Sequence, residues 1–206
     1  MSEARKRGRP RAFHAGTAIE KAREVFWDRG FEGTSLDALS AATNLNRPSL
    51  YGAFGDKQEL YLGTLAGYRD DSLDALTEAL DPSLPLAENL AEIYRRSLAI
   101  YLSGETAQRG CFLIGTATAE AIQHPRVRDM LRISLEAFDT RIEQRLALAI
   151  ERGELPEGSD PQTLTWLASS VMHSLAVRAR AGASREMLEA LAKAGVEMVC
   201  GPKRQD

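Results

Sequence analysis

With 206 residues, of which 44% are hydrophobic and 27% charged, the chain has the composition of a globular protein of one or two domains, not of a disordered or fibrous one. It contains no run of about 20 apolar residues that would span a membrane, and its two cysteines are too few for a disulfide framework. Residues 1–61 hold ten Lys/Arg against eight Asp/Glu, whereas residues 62–206 hold sixteen against twenty-one. A basic N-terminal part on an acidic body indicates a polyanionic partner.

The first predicted element is a flexible basic arm over residues 1–13. A secretory signal requires an apolar segment after its basic residues, and none follows here. Two free thiols suit a cytoplasmic protein, so we expect a cytoplasmic location. The stretch Lys6-Arg7-Gly8-Arg9-Pro10-Arg11 resembles the core of an AT-hook, in which arginines such as Arg7 and Arg9 read a narrow minor groove. An equally good interpretation is a basic tail that attracts DNA without specificity.

Four helices are predicted after the arm. Apolar residues at helical spacing indicate a first helix over about 17–30, which Gly30 ends. Three short polar residues then stand where helix N-caps are needed, each shortly before an apolar periodic segment. The expected caps are Thr34 or Ser35 for the second helix, Asn46 for the third, and Asp56 for a fourth that runs to about Leu80.

The rest of the chain is also predicted to be helical, and no alternating strand pattern is present. After the Pro-rich break at 81–85, the apolar spacing favours helices over about 86–103, 110–123, 126–151, 161–181 and 185–199. The helix at 161–181 is apolar nearly all round, which predicts burial on more than one side. The fold class is therefore all-α with about nine helices.

The second and third helices have the spacing of a helix-turn-helix motif. Leu39 and Ala42 are placed to pack on Leu45 and Leu50 across a turn at 43–45. In this motif the second helix lies in the major groove with its N-terminal residues against base edges, and helix N-termini attract phosphate. The residues expected to face DNA from that end of the helix are Asn46, Arg47, Pro48, Ser49 and Tyr51.

Residues 17–61 resemble the tetracycline-repressor (TetR) family of bacterial regulators. The resemblance is carried by Gly30-Phe31-x-x-Thr34-Ser35, by Leu50-Tyr51-x-x-Phe54 and by Asp56-Lys57-x-x-Leu60. It implies a DNA-binding head over 14–61 and a ligand-binding and dimerisation body over 62–206, which pairs with a second copy through roughly 161–199. The chain departs from the family pattern at Asn44-Leu45, where many members have Gly-Val, and at Gly52 and Ala53, which are often bulky. The DNA contacts that the resemblance implies are Thr34, Ser35, Arg47, Pro48, Tyr51 and Lys57.

The second half of the sequence shows no catalytic constellation. Its histidines are scattered, no His/Cys/Glu cluster has metal-ligand spacing, and no glycine loop would cradle a phosphate. We expect no enzyme, no metal and no cofactor, but a pocket for a small-molecule effector among converging apolar helix faces. The candidate pocket residues are Tyr94, Tyr101, Cys111, Phe112, Phe138, Trp166 and His173.

These patterns together predict a homodimeric repressor that binds a near-palindromic double-stranded DNA operator and is released by a small effector. Cys111 leaves an alternative open, because a thiol at a helix N-terminus has a lowered pKa and senses oxidants or electrophiles. The alternative is a repressor that responds to redox state or electrophiles through Cys111. Free cysteine is also among the most buried residue types, which favours simple packing.

Overall fold

A computed structural model describes residues 15–104 and 108–201, and over these residues the chain forms nine α-helices and no strand. This confirms the predicted all-α fold. No helix among the described residues is long and apolar enough to cross a membrane. The helices are α1 (Ala15–Arg29), α2 (Leu36–Thr43), α3 (Arg47–Phe54), α4 (Lys57–Ala79), α5 (Leu86–Tyr101), α6 (Thr118–Glu120), α7 (Pro125–Glu151), α8 (Pro161–Arg180) and α9 (Arg185–Cys200).

Short polar side chains begin the helices of the N-terminal head at the predicted places. The side chain of Ser35, rather than that of Thr34, accepts a hydrogen bond from a backbone N–H of α2. Asn46 and Asp56 cap α3 and α4 in the same way. Asn44 ends α2 with φ of 56°, a left-handed conformation that asparagine tolerates better than most residues. The tight α2–α3 turn therefore follows from local sequence.

An aromatic cluster joins the head to the C-terminal body. The ring of Phe26 in α1 lies 5.0 Å from that of Tyr61 in α4, and Trp27 lies 5.4 Å from Phe112, which precedes α6. The hydroxyl of Tyr61 donates a 2.7 Å hydrogen bond to Thr116. Helix α4 takes part in both halves, since it begins in the head and packs against α5 and α7. The head and the body therefore share one hydrophobic core.

The predicted helix at 110–123 is shorter and less regular than expected. Gly110 has φ of +65°, which is outside the right-handed helical region, so the helical backbone begins only after it. A π-helical segment, Leu113–Ala117, then leads into the single turn of α6. The hydroxyl of Thr116 bonds back to the carbonyl of Phe112 at 2.8 Å. π-helical turns are rare in proteins, and those that occur often lie at functional sites.

The body packs α5, α7, α8 and α9 around a common core. Helix α7 turns one side toward the core and buries or half-buries it: Val127, Leu131, Ser134, Phe138, Ile142, Leu146 and Ala149. Arg145 is buried on the same helix, where it donates to Asn89 at 2.7 Å and to the carbonyl of Leu84 at 2.9 Å, and pairs with Glu154 at 3.0 Å. Helix α8 packs against α5, α7 and α9, but its outer face is open in the single chain, where Trp166 is 55% exposed.

Candidate DNA-binding interface and effector cavity

Helix α3 presents a polar, exposed N-terminal face and turns one apolar side chain inward. Leu50 is buried against the head, whereas Arg47, Pro48 and Ser49 are exposed and Tyr51 is 49% exposed. Asn46 is exposed too, and its side-chain oxygen accepts the N–H of Ser49 at 2.9 Å, so it fixes the helix end from outside. This places the predicted base-reading residues together on one open surface.

Arg47 is held by an acidic residue of the preceding helix. Its Nε and Nη2 donate to Oδ1 of Asp37 at 3.1 and 2.7 Å, and Nη2 also lies 2.8 Å from Oδ2. This hydrogen-bonded carboxylate raises the pKa of Arg47 above its ordinary value. Sequence reasoning missed Asp37, although the helix-turn-helix spacing brings the start of α2 close to the start of α3. The guanidinium is thus oriented before DNA arrives.

Thr34 does not take the predicted role. Its side chain is buried, and its hydroxyl donates to the carbonyl of Gly30 at 2.6 Å, which closes the turn between α1 and α2. The hydroxyl is therefore turned away from any phosphate, and the predicted DNA contact of this side chain is wrong. Ser35 next to it is exposed, and its oxygen caps α2 through the N–H of Ala38 at 3.1 Å.

Lys57 is the first residue of α4 and lies at the edge of the head. Its ammonium lies 4.3 Å from the ring centroid of Phe31, a cation–π contact that positions the charge while leaving N–H donors open. The predicted arm contacts of Arg7 and Arg9 fall outside the described residues.

A cavity of about 80 Å³ lies in the body among α4, α5, α7, α8 and the segment before α6. Tyr101, Cys111, Phe138 and His173 line it, in agreement with the predicted pocket. Its polar lining also includes Ser97, which sequence reasoning did not select. Most of the remaining wall is aliphatic.

The polar groups of this cavity carry little free charge. Burial lowers the pKa of His173, which favours the neutral imidazole, and burial raises the pKa of Tyr101 well above its ordinary value. Arg96 also lines the cavity, but its guanidinium pairs with Glu92 at 2.7 Å and Glu78 at 2.9 Å. The lining therefore suits an uncharged ligand with a hydrogen-bonding group.

Comparison with known proteins identifies both halves of the chain. Residues 18–64 match the model of bacterial regulatory proteins of the tetR family, and residues 87–194 match the tetracyclin repressor-like C-terminal domain. The chain belongs to the TetR family. It is a DNA-binding transcriptional repressor of that family.

Relatives of this TetR-family repressor match over most of their length. The transcriptional repressor BdcR of Escherichia coli is 30% identical, with 93% of this chain and 92% of the relative covered. The repressor ComR of Escherichia coli is 28% identical over 90% of this chain and 89% of its own. One similar solved structure is a cysteine mutant of the TetR-family regulator CifR in complex with 26 bp of double-strand operator DNA. It is 33% identical and has a TM-score of 0.73. The match covers 92% of this chain and 98% of that chain.

Three predicted pocket residues of the repressor lie elsewhere. Tyr94 is buried behind the cavity, where its hydroxyl donates to the carbonyl of Ala168 at 3.2 Å. Phe112 is fully buried in the aromatic cluster that includes Trp27, and it does not line the cavity. Trp166 lies on the outer face of α8. Apolar helix faces predicted burial, but not which side of the helix would meet the cavity.

Cys111 also differs from the prediction. Its thiol is buried, although the residue directly precedes the first helical turn, where the N–H groups of Leu113 and Ile114 bond to the sulfur. Burial raises the pKa of the thiol, with hydrogen bonds acting in the opposite direction. A protonated, buried thiol lacks the thiolate character that redox sensing needs. The thiol-based alternative is therefore not favoured, and Cys111 is a lining residue of the cavity.

Proposed function

We propose that this repressor acts as a homodimer on a near-palindromic double-stranded DNA operator and is released when a small uncharged molecule binds the body. In this proposal residues 14–61 form the DNA-binding head and residues 62–206 the ligand-binding and dimerisation body, in the cytoplasm where the operator is. In this proposal the protein has no catalytic activity, and it needs no metal or cofactor to bind the operator. The observation that carries the proposal is the capped α3, whose N-terminal residues Arg47, Ser49 and Tyr51 are all exposed.

Each part of the head supports a particular DNA contact. Arg47 presents a planar guanidinium at the N-terminus of α3, which suits bidentate recognition of guanine in the major groove. Asn46 and Ser49 place side chains with hydrogen-bond donors next to Arg47, and Pro48 lies beside them in the first turn of the helix. The hydroxyls of Ser35 and Tyr51 and the ammonium of Lys57 are exposed or half-buried at the rim, where phosphate contacts fix the register.

The basic arm extends this footprint in the proposal. Arg7 and Arg9 would enter the minor groove next to each half-site, because a narrow A·T-rich groove concentrates negative potential. Deletion of residues 1–13 should then weaken binding more on A·T-rich flanks than on G·C-rich flanks.

The outer faces of α8 and α9 support dimerisation. They expose large apolar side chains that a soluble monomer would bury: Trp166 is 55% exposed, Val177 58% and Met198 62%. In a two-fold symmetric dimer the same surface of each copy packs against the other, and this would bury these side chains. The surface lies within the predicted interface at 161–199. Two recognition helices then reach grooves about one helical turn apart.

The cavity supports a small effector. The neutral His173 and the hydroxyls of Tyr68 and Tyr101 offer hydrogen bonds in an otherwise apolar space. A second, open cavity of about 370 Å³ adjoins it, and Cys111 and Ile114 line both. A ligand larger than the inner space would extend into this outer one.

Two measurements test the proposed function. A gel-shift titration with the DNA upstream of the protein's own gene should give saturable binding that an unrelated duplex of equal length does not compete away. Sedimentation of the free protein should give twice the mass of the 22.6 kDa chain. Binding as a monomer, or binding with no preference for any sequence, contradicts the proposal.

A further inference from the structure

Three side chains able to ligate metal meet where the head touches the body. Glu32 lies in the α1–α2 turn of the head, Glu120 ends α6, and His124 caps α7 in the body. One donor atom of each lies within 4.8 Å of the other two. Nε2 of His124 is 3.6 Å from a carboxylate oxygen of Glu120 and 4.0 Å from one of Glu32. The positions 32, 120 and 124 are too far apart in sequence to have shown this cluster.

The distances are close to those of a coordination sphere. Donors about 2.1 Å from a tetrahedral ion lie roughly 3.4 Å from each other, so the observed spacing needs only a small contraction. Glu32 supplies that freedom, because its side chain is 79% exposed and free to change rotamer. Glu120 and His124 are more fixed, since their side chains are only 14% and 26% exposed.

The imidazole is oriented as a metal ligand requires. Its Nε2 faces the two carboxylates, while Nδ1 lies 3.5 Å from the side-chain amide of Gln58. A polar partner on the second ring nitrogen is the usual outer support of a ligating histidine. The ring also packs edge-on against Phe31 at 5.2 Å, and the N–H of His124 donates to the carbonyl of Glu120 at 2.9 Å. These contacts fix the position of the His124 ring and of the backbone that carries Glu120.

The charges around the cluster also favour a cation. The carboxylates of Glu32 and Glu120 have oxygens within 4.8 Å of each other, and the side chain of Glu120 is only 14% exposed, so the two negative charges repel each other where water is partly excluded. His124 and the ammonium of Lys57 offset this only in part, and Lys57 is stacked on Phe31. A dication between the carboxylates would neutralise the repulsion directly.

We propose that Glu32, Glu120 and His124 bind one divalent transition-metal ion of the Zn²⁺ type, which ties the head to the body. An imidazole donor beside carboxylates suits Zn²⁺ and its neighbours better than Mg²⁺ or Ca²⁺, which take oxygen ligands and water. The metal is a second regulatory ligand, distinct from the effector cavity. It is not required for the proposed operator binding.

The position of the site explains why binding there would matter. Glu32 lies four residues before α2 of the DNA-binding motif. Glu120 ends the turn that follows the π-helical segment, whose Leu113 and Ile114 line the effector cavity. An ion that holds Glu32 against Glu120 restrains the head relative to the part of the body that touches the effector. Metal binding and effector release are thereby coupled.

Isothermal titration of the full-length protein with Zn²⁺ tests the site. We expect one saturable site per chain with a dissociation constant below about 10 µM, undisturbed by a large excess of Mg²⁺. His124→Gln and Glu32→Gln should each weaken binding at least about tenfold, since each removes a ligand. Glu32→Gln is a surface change that leaves the fold intact, so it decides the outcome if His124→Gln misfolds. Glu136→Gln, on the exposed face of α7, is the matched control.

Thermal unfolding with and without Zn²⁺ tests the coupling of head and body. Zn²⁺ at about 100 times its dissociation constant should raise the midpoint of the wild type and the control by roughly 5 °C or more. Glu32→Gln should lose most of this rise. Hydrogen exchange in the α1–α2 turn should slow on Zn²⁺ addition in the wild type and in the control, but not in Glu32→Gln. Absence of saturable Zn²⁺ binding, or equal binding by all variants, overturns the proposal.

Discussion

Arg47, the first residue of α3, and Asp37, the second residue of α2, form a bidentate ion pair across the helix-turn-helix. Both side chains are largely exposed, at 55% and 76%, and an exposed pair contributes little to folding. Its effect is instead to limit the orientations of Arg47. A guanine offers two acceptors that could replace the two carboxylate oxygens, so we expect the pair to hold Arg47 in an orientation suited to base recognition.

Arg47→Ala should abolish sequence discrimination at one base pair of each half-site. A bidentate arginine–guanine contact distinguishes bases by about 10- to 100-fold, and alanine offers no such contact. Binding of operator variants substituted at every position, measured by fluorescence anisotropy, checks this. Asp37→Asn is the matched control and should keep the discrimination while raising affinity for all sequences. Discrimination that survives in Arg47→Ala would falsify the assigned role of this residue.

Lys57→Gln should weaken binding to all DNA sequences alike. Its ammonium lies over the ring of Phe31 at the rim of the head, where we expect it to contact phosphate and not bases. The slope of log affinity against log salt should fall by about one unit per head. Arg141→Gln removes an equally positive charge from the exposed face of α7, away from the proposed DNA and dimer surfaces, and should leave the slope unchanged. An unchanged slope in Lys57→Gln would place the phosphate contact on another residue.

Ser97→Leu should make the repressor insensitive to its effector while operator affinity stays the same. Ser97 lines the cavity of about 80 Å³, and a leucine side chain would fill much of that space. Compounds that stabilise the wild type in a thermal-shift screen of small uncharged molecules should not stabilise this variant. Ala99→Leu adds the same bulk on the exposed face of the same helix and should respond like the wild type. If both variants still respond, the effector binds outside this cavity.

Trp166→Glu should convert the dimer into a monomer without unfolding the chain. Trp166 is 55% exposed in the single chain, so the new charge meets water until a second copy approaches. Sedimentation velocity and circular dichroism check the mass and the helix content. Ile122→Glu is a control with an apolar side chain that is 79% exposed away from α8 and α9. Dimerisation of both variants would move the interface to another surface.

Glu154→Gln should destabilise the body by about 2–3 kcal/mol at neutral pH, because it leaves the buried guanidinium of Arg145 without its counter-charge. Burial raises the pKa of Glu154, but hydrogen bonds from Arg145 and from the N–H of Leu86 outweigh it, so the pKa lies below the ordinary value of a glutamate, 4.5. The contribution to stability is therefore present above pH 4.5 and is lost as pH falls through the folded-state pKa. Urea unfolding at fixed protein concentration checks this. A Gln variant that loses stability below pH 4.5 as steeply as the wild type contradicts the account.

Local sequence was sufficient for the helices and for most of the DNA-binding face. Caps such as Ser35, Asn46 and Asp56 act over three residues, and apolar periodicity acts within one helix, so both are visible in the sequence. Thr34 was misjudged because its bond to the carbonyl of Gly30 depends on the folded turn.

Positions that depend on tertiary packing were not visible in the sequence. Trp166 and Phe112 are both aromatic residues in helical sequence patterns. Trp166 is exposed on the surface, whereas Phe112 is buried in the aromatic cluster. Periodicity gives the apolar face of a helix and not the element that covers it. The junction of Glu32 with His124 joins residues of the head and the body, so only the folded chain brings them together.

DNase footprinting on the protein's own upstream DNA tests the central claim most directly. The account predicts a protected, near-palindromic segment whose two half-sites are centred about one helical turn apart, bound by two chains. The same footprint should vanish with Arg47→Ala at concentrations where the wild type protects fully. Protection of a single unsymmetric half-site by one chain, or a footprint that Arg47→Ala leaves unchanged, would contradict it.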